Sequence, residues 1–540
     1  MRRNEDQRGQ SSARAPRDQW AVRPVGFPAR AGYAGPVALP PRTDPPSLDC
    51  KMIPEPFARW LWRALYNALL LPLLRAGARV AALRSAKLRE TQAGQRGAVA
   101  RLEAALAGRD AAQPLLWFHV ASAGELLQAQ PVLERFLAAG TPCVLTVTSV
   151  SGVRWARRHW DAARRPAGLL AVDFLPPDTA ANARRLLRTL RPAALVFTKY
   201  DLWPNLVWEA ARAGVPQYLL AATLQPRSWR ERSALARSFY GTLYAPLAGI
   251  FAVTEADAAR FLRAAPGHAG VAVLGDTRFD SVLERRARIA PPPLPPYDGA
   301  DAGRVAPERA GPATAGHEAV AHGPVLVVGS AWPPDEERVF PALREALARY
   351  PGLRALVVPH EIDAGHLAAI EAAFGPSPAG PGVPTARFTA LGPGAAPWRL
   401  LVVDAVGVLS ALYAHASLAY VGGAFTTGVH NVMEPAAMGA PPIFGPFHQN
   451  SPEALHLLAQ GLAFAIHDAD GFRRVLFSLL DDPARTAALG ARARAYVESQ
   501  AGAAERSCAR IRGELGLASG SAAAPEAAPA FPPASPFGVR

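Results

Sequence analysis

PLLWFHVASAGELLQAQPVLERF, residues 114–136, joins a continuous apolar run to a helical pattern through the small-residue turn Ser122-Ala123-Gly124. An apolar run without polar alternation reads as a strand covered on both faces, and a helix directly after it makes half of a βαβ unit. The same grammar recurs upstream and downstream. TPCVLTVTS, AALVFTK, PQYLLAAT, GIFAVT and VAVLG read as further strands of a first block over 56–288. PVLVVGS, RALVVPH, LLVVD, LAYVGG and PPIFG read as strands of a second block over 323–515. Buried strands alternating with helices predict an α/β chain with two parallel sheets, that is, two Rossmann-like domains facing across a cleft. Ligands of such sheets bind beyond the carboxyl ends of the strands, so the residues just after each apolar run are the candidates for function.

Between the blocks, 289–322 is rich in proline and glycine and predicts a linker or insertion, because proline continues neither a helix nor an inner strand. Residues 1–55 and 516–540 lack apolar periodicity and predict disordered ends. The three cysteines, Cys50, Cys143 and Cys508, are far apart, and no Cys/His cluster has metal-ligand spacing, so neither a disulfide framework nor a metal site is expected.

The chain is basic: Lys+Arg 58 against Asp+Glu 44, net charge +14. That excess favours anionic partners, although compositional bias alone also produces arginine richness. No aromatic-interleaved basic patch supports nucleic acid as a partner. No secretory signal is visible at the start. PFARWLWRALYNALLLPLLRAGARVAALRSAKLR, 56–89, holds an apolar stretch Ala64–Leu74 broken by Asn67 and Pro72. It is too short to span a bilayer, which takes about 20 apolar residues. Trp60, Trp62 and Tyr66 at one end of it, and Arg75, Arg79, Arg84, Lys87 and Arg89 after it, suit an amphipathic helix near 57–84 lying on a membrane surface. Such a helix packed on its own domain is the competing reading.

Several strand ends carry chemistry. Glu125, after Ser122 and Gly124, fits two descriptions: a first-turn carboxylate favoured by the helix dipole, and a general base aimed at the cleft. Lys199 and Asp201 stand before Trp203-Pro204-Asn205, either as a surface pair or as a grip on an anionic sugar or phosphate. Gly329-Ser330 reads as a tight turn, and His360 follows another strand. Gly422 and Gly423 let backbone approach a phosphate, and Gly428 to Glu434 lead into a helix whose N–H groups suit an anion. Ionised Glu434 suits the two hydroxyls of a ribose. The spacing matches neither GxGxxG nor a P-loop.

Taken together in this order, HVASAGE (119–125), DLWPN (201–205), GDTRFD (275–280), GSAWPPDEE (329–337) and GGAFTTGVHNVMEP (422–435) resemble the 3-deoxy-D-manno-octulosonic acid (Kdo) transferases of lipopolysaccharide assembly. The resemblance spans about 56–510. It implies the GT-B fold, CMP-Kdo as donor substrate, no metal or other cofactor, and a lipid A precursor as acceptor at the cytoplasmic face of the inner membrane. It places the general base on Glu125. It places CMP contacts on Pro359, His360, Val406, Gly407, Val408, Asn431, Val432, Met433 and Glu434. Further donor or acceptor contacts fall on Ser122, Gly124, Lys199, Asp201, Ser330, Gly422, Gly423 and His430. Four elements depart from the commoner spelling: Lys199-Tyr200-Asp201 replaces Glu-x-Glu, Ala221-Ala222-Thr223 replaces Asn-Ala-Arg, Pro359-His360 replaces Pro-Arg, and Val406-Gly407-Val408 replaces Met-Gly-Glu. These spellings are similar to those of a divergent branch. The competing readings are a GT-B transferase or epimerase with a UDP donor, which titration of CMP against UDP separates, and a degenerate membrane-surface binding protein.

Overall fold

The structure is a computed structural model that describes residues 55–294 and 323–517, apart from 162, 226–227, 378–379 and 393–394. The expected disorder at the two ends therefore falls almost wholly outside the described residues, as does most of the linker.

Each block folds around one seven-stranded parallel sheet. The first contains β1 (Leu116–Val120), β2 (Cys143–Val147), β3 (Leu169–Phe174), β4 (Ala194–Thr198), β5 (Gln217–Ala222), β6 (Gly249–Ala252) and β7 (Val271–Val273), in the order β3-β2-β1-β4-β5-β6-β7. The second contains β8 (Val325–Ala331), β9 (Arg354–Pro359), β10 (Thr385–Arg387), β11 (Leu400–Val402), β12 (Leu418–Val421), β13 (Pro442–Phe444) and β14 (Phe464–Ala465), in the order β10-β11-β9-β8-β12-β13-β14. Helices cover both faces. Trp117, Phe197 and Leu219 point into one core of the first block, and Phe118, Leu145 and Leu220 into the other. This is the doubly wound pattern expected from uninterrupted apolar strands. Together the blocks form two Rossmann-like domains of the GT-B fold.

Two helices cross the boundary drawn from sequence. Thr277–Arg288, the bridging helix, packs Phe279 and Val282 into the second block, while Thr277 Oγ1 donates to the Gln128 carbonyl in the first at 2.6 Å. The last helix, Ala503–Leu515, belongs spatially to the first block: Ala504, Cys508 and Ile511 complete the core beneath β1 and β2. The second domain therefore does not run intact to 515. The start of the expected linker also docks on the second block, where His415 meets the Pro292 carbonyl at 2.9 Å and Leu294 joins a core cluster.

The amino-terminal segment forms Glu55–Leu65, a π-helical turn Tyr66–Leu70, and Leu71–Arg84. Trp62, Arg63, Tyr66 and Asn67 tie it to the first domain through Ser238, Glu209, Asp178 and Asn205. Phe57, Trp60, Leu69, Leu70, Leu73, Leu74, Val80 and Leu83 remain exposed along the segment, Trp60 by 63% and Leu73 by 61%. The docked side chains satisfy the packed reading, and large apolar side chains are left exposed beside them. No described helix is long and apolar enough to cross a membrane.

Candidate active site

Ser122 is the N-cap of the helix Ala123–Ala138, its hydroxyl accepting the Glu125 N–H at 3.3 Å. Glu125 reaches back, and Oε2 accepts the Ala121 N–H at 2.7 Å. This is close to a capping box, displaced by one residue at its start. The ordinary structural role of a first-turn carboxylate is therefore filled, through one of its two oxygens. Glu125 is buried but not sealed: it is 8% exposed, beside the half-exposed Ser122 and the exposed Gly124. Burial, followed by the like charge of Asp201, pushes its carboxyl up to about 7, while the Ala121 N–H and Lys199 pull the other way. A carboxyl near neutrality at a strand end is suited to proton transfer at physiological pH.

Asp201 and Lys199 belong to the same centre. Lys199 holds a left-handed backbone, φ 66°, which for a non-glycine residue marks a constrained position. Asp201 Oδ2 accepts the Trp203 indole N–H at 3.1 Å and lies 3.6 Å from His119 Nε2. His119 is fully buried on β1, and its Nδ1 lies 3.0 Å from Thr146 Oγ1, which also accepts the Trp117 indole N–H at 2.9 Å. Trp203 packs on the core, as expected, and also orients Asp201.

In the second domain the candidates gather at the carboxyl ends of β8, β9, β11 and β12. Ser330 is not in a turn: it remains in β8 at a bulge, with φ 52°. A Cβ on Gly422 would stand 2.2 Å from the Ser330 carbonyl oxygen, so only glycine fits the close approach of β12 to that bulge. Gly423, at φ 90°, donates its N–H to the buried Asp335 at 3.0 Å, and Asp335 also accepts the Tyr420 hydroxyl at 2.7 Å.

His360 does not stand alone. Its ring stacks on both Trp332, 4.1 Å between centroids, and His430, 4.8 Å. The Trp332 indole donates to His430 Nε2 at 3.3 Å. Burial and the neighbouring His360 both lower the His430 pKa, so this ring is held neutral. Pro359 is buried, whereas Val406 and Gly407 are exposed and Val408 half-buried on a loop beyond β11.

Asn431 Oδ1 accepts the Met433 N–H at 3.0 Å, and Val432 and Met433 are buried. The helix that follows, Met433–Met438, has six residues, so the anion-binding end expected from sequence is short. Glu434 is already engaged: Arg285 of the bridging helix donates to Oε1 at 2.6 Å. Burial raises its pKa, and Arg285, Ser410 and Asn431 act against that rise.

Sequence reasoning missed several neighbours. Trp332, Asp335 and Arg285 carry no local signal of these contacts, because each acts across elements. Thr426, Thr427, Gly428, Phe447, Gln449 and Asn450 line a pocket of about 310 Å³ beside the Gly423 turn. Of the Thr426–Gly428 half only Gly428 was legible, and the Phe447–Asn450 half lies on the loop after β13.

A near-neutral carboxyl at the carboxyl ends of one sheet's strands, a glycine-shaped turn with convergent polar groups at those of the other, and paired Rossmann-like domains are the parts of a glycosyltransferase of the GT-B class. The family described as 3-Deoxy-D-manno-octulosonic-acid transferase (kdotransferase) matches residues 92–281. A 3-deoxy-D-manno-octulosonic acid transferase of Bordetella pertussis is 30% identical over 424 residues, covering 76% of this chain and 90% of the relative. One of Chlamydophila psittaci is 30% identical over 382 residues, covering 69% and 79%. Among solved structures, a putative UDP-N-acetylglucosamine 2-epimerase from Listeria monocytogenes aligns with TM-score 0.49 and 13% identity, covering 75% of this chain and 98% of that one. The chain belongs to the 3-deoxy-D-manno-octulosonic acid transferase family.

Proposed function

We propose that the protein transfers Kdo from CMP-Kdo to a hydroxyl of a lipid A precursor, with inversion, at the cytoplasmic face of the inner membrane. The observation that carries this is Glu125, a carboxyl pushed to about 7 beside Lys199 and Asp201 at a strand end. Glu125 takes the proton of the acceptor hydroxyl as its oxygen attacks the anomeric carbon. The bond from that carbon to the CMP phosphate breaks on the opposite face. A positioned base of this kind contributes about 10²–10⁴-fold. Lys199 supplies a cation for the sugar carboxylate, and Gly422, Gly423, Ser330 and His360 surround the place for the departing phosphate. Glu434 takes the ribose hydroxyls and keeps its charge through Arg285. Donor and acceptor are substrates, and no metal or organic cofactor is assigned a step.

The exposed apolar face of the amino-terminal helices supports attachment to a membrane surface, where a lipid acceptor resides. Incubation with CMP-Kdo and a lipid A precursor, followed by mass spectrometry of the lipid, tests the reading: each transfer adds one discrete Kdo mass. The Glu125→Gln variant should lose transfer and still bind CMP. Turnover close to that of the parent would remove Glu125 from the role.

A further inference from the structure

The first domain holds a second pocket, of about 510 Å³, unrelated to the strand ends. Arg59, Trp60, Arg63, Ala64, Asn67 and Arg212 line it. Its charge is unbalanced. Glu209, 3% exposed, receives Arg63 at 2.7 Å, Arg184 at 3.1 Å and Arg212 at 3.6 Å. Arg59 adds a fourth guanidinium, and its buried Nε has no hydrogen-bond partner. Among the described side chains, four cations around one carboxylate leave an excess of three positive charges. A buried N–H without an acceptor costs free energy unless something fills the position. The planar fork of a guanidinium matches the multiple acceptor oxygens of a phosphate. The pocket opens beside Trp60, at the edge of the apolar face formed by Phe57, Leu69, Leu73 and Leu74.

We infer that this pocket binds the phosphate of an anionic glycerophospholipid of the bilayer, fixing how the apolar helices sit on the membrane. The inference rests on the membrane-surface reading above and adds a defined lipid site to it. The cationic rim of the site lies at the far end of a helix from the Lys199–Asp201 turn, while Asn67 on the other rim reaches Asn205 near the start of that helix at 2.9 Å. Arg212 ends the helix Pro204–Arg212, which begins just after the Lys199–Asp201 turn. Nine residues at 1.5 Å each carry Arg212 roughly 13 Å from that edge. The exposed Trp60 indole and the apolar helix face suit the boundary between headgroups and acyl chains, the depth at which a lipid phosphate lies.

Flotation of the full chain with vesicles tests this. One set is phosphatidylcholine alone, and the other contains roughly a quarter phosphatidylglycerol. At about 1 kcal/mol for each basic residue at such a surface, R59Q/R212Q should weaken partition onto the anionic vesicles about thirtyfold. Partition onto neutral vesicles, thermal melting and turnover of detergent-dispersed acceptor should stay as in the parent. R59K/R212K should recover only part of the loss, because lysine lacks the planar fork. R75Q/R79Q, which removes the same charge elsewhere on the helix, should cost less. Equal losses for the two glutamine pairs, or full recovery with lysine, overturn the pocket in favour of diffuse charge. Displacement from vesicles by millimolar inorganic phosphate at fixed ionic strength overturns the lipid as occupant in favour of a soluble anion. A parent chain that floats with neither vesicle sinks the membrane reading itself. A parent that floats while R59Q/R212Q floats equally well sinks only the pocket.

Discussion

At Glu125, protonation and stability pull in opposite directions. The folded carboxyl titrates near 7, against an ordinary value of 4.5, so folding disfavours its charged form. That penalty is absent below about pH 4.5, grows as pH rises to about 7, and is constant above. Glutamine can still accept the Ala121 N–H through its amide oxygen but carries no charge to bury. Glu125→Gln should therefore melt higher than the parent at pH 8 by an amount equivalent to about 1–3 kcal/mol, with the gap closing toward pH 5. Calorimetry across that range checks it, and a gap independent of pH would show that burial does not penalise this charge. Asp201→Asn removes a like charge, so the Glu125 pKa should fall. The rising acidic limb of kcat/KM against pH should then move to lower pH. An unmoved limb would uncouple the two carboxyl groups. At this scale the sequence placed Glu125, Lys199 and Asp201 at strand ends without showing that those strands adjoin, and His119 had no visible role. Its link to Asp201 depends on β1 lying beside β4, which no local pattern encodes.

Elements were most legible where both faces are buried. The strands not read from sequence, β3, β10 and β14, all lie at sheet edges. An edge strand has one neighbour, is short or half-exposed, and so loses the uninterrupted apolar signature. In β3, Asp173 interrupts the run and is paired by Arg101 at 2.6 Å. The amino-terminal helices show the same limit from the other direction, since an apolar stripe does not say which side finds a partner. Tyr66 settles it, donating to buried Asp178 at 3.0 Å. Asp178 in turn accepts the N–H groups of Asn205 and Leu206 at 3.0 and 3.1 Å, capping the helix Pro204–Arg212. The π-turn Tyr66–Leu70 thus joins the segment with the exposed apolar side chains to the element that begins beside the candidate active site. Tyr66→Phe removes one donor from a buried carboxylate and should cost about 1–3 kcal/mol in urea unfolding. Amide exchange should accelerate over both 57–70 and 204–212. Acceleration confined to the first segment would mean that the cap does not depend on the tyrosine.

Over the whole molecule, GDTRFD reads as a fastening between domains. Arg278 lies between Asp276, at 2.7 Å, and Glu453 of the second domain, at 3.1 Å. Asp280 accepts the N–H groups of Gly502 and Ala504 at 2.8 and 3.2 Å, capping the helix that returns to the first domain. The two directions of crossing meet on one helix, so the first domain's core is finished by residues more than three hundred positions after its first strand. A contiguous sequence boundary could not express that. Removal of the chain from Ala503 onward strips Ala504, Cys508 and Ile511 from the core beneath β1 and β2. Fully burying a large aliphatic side chain is worth about 1.5–3 kcal/mol, and the two smaller groups add to that. The truncated chain should therefore lose several kcal/mol, with the loss falling on the first domain: limited proteolysis should cut near β1 and β2 while the fragment carrying β8 to β14 persists. Asp280→Ala gives the graded version, about 0.5–2 kcal/mol for a lost cap, with cleavage in the same places. Cleavage beginning in the second domain in both variants would show that the last helix stabilises the sheet it follows in sequence rather than the one it touches in space.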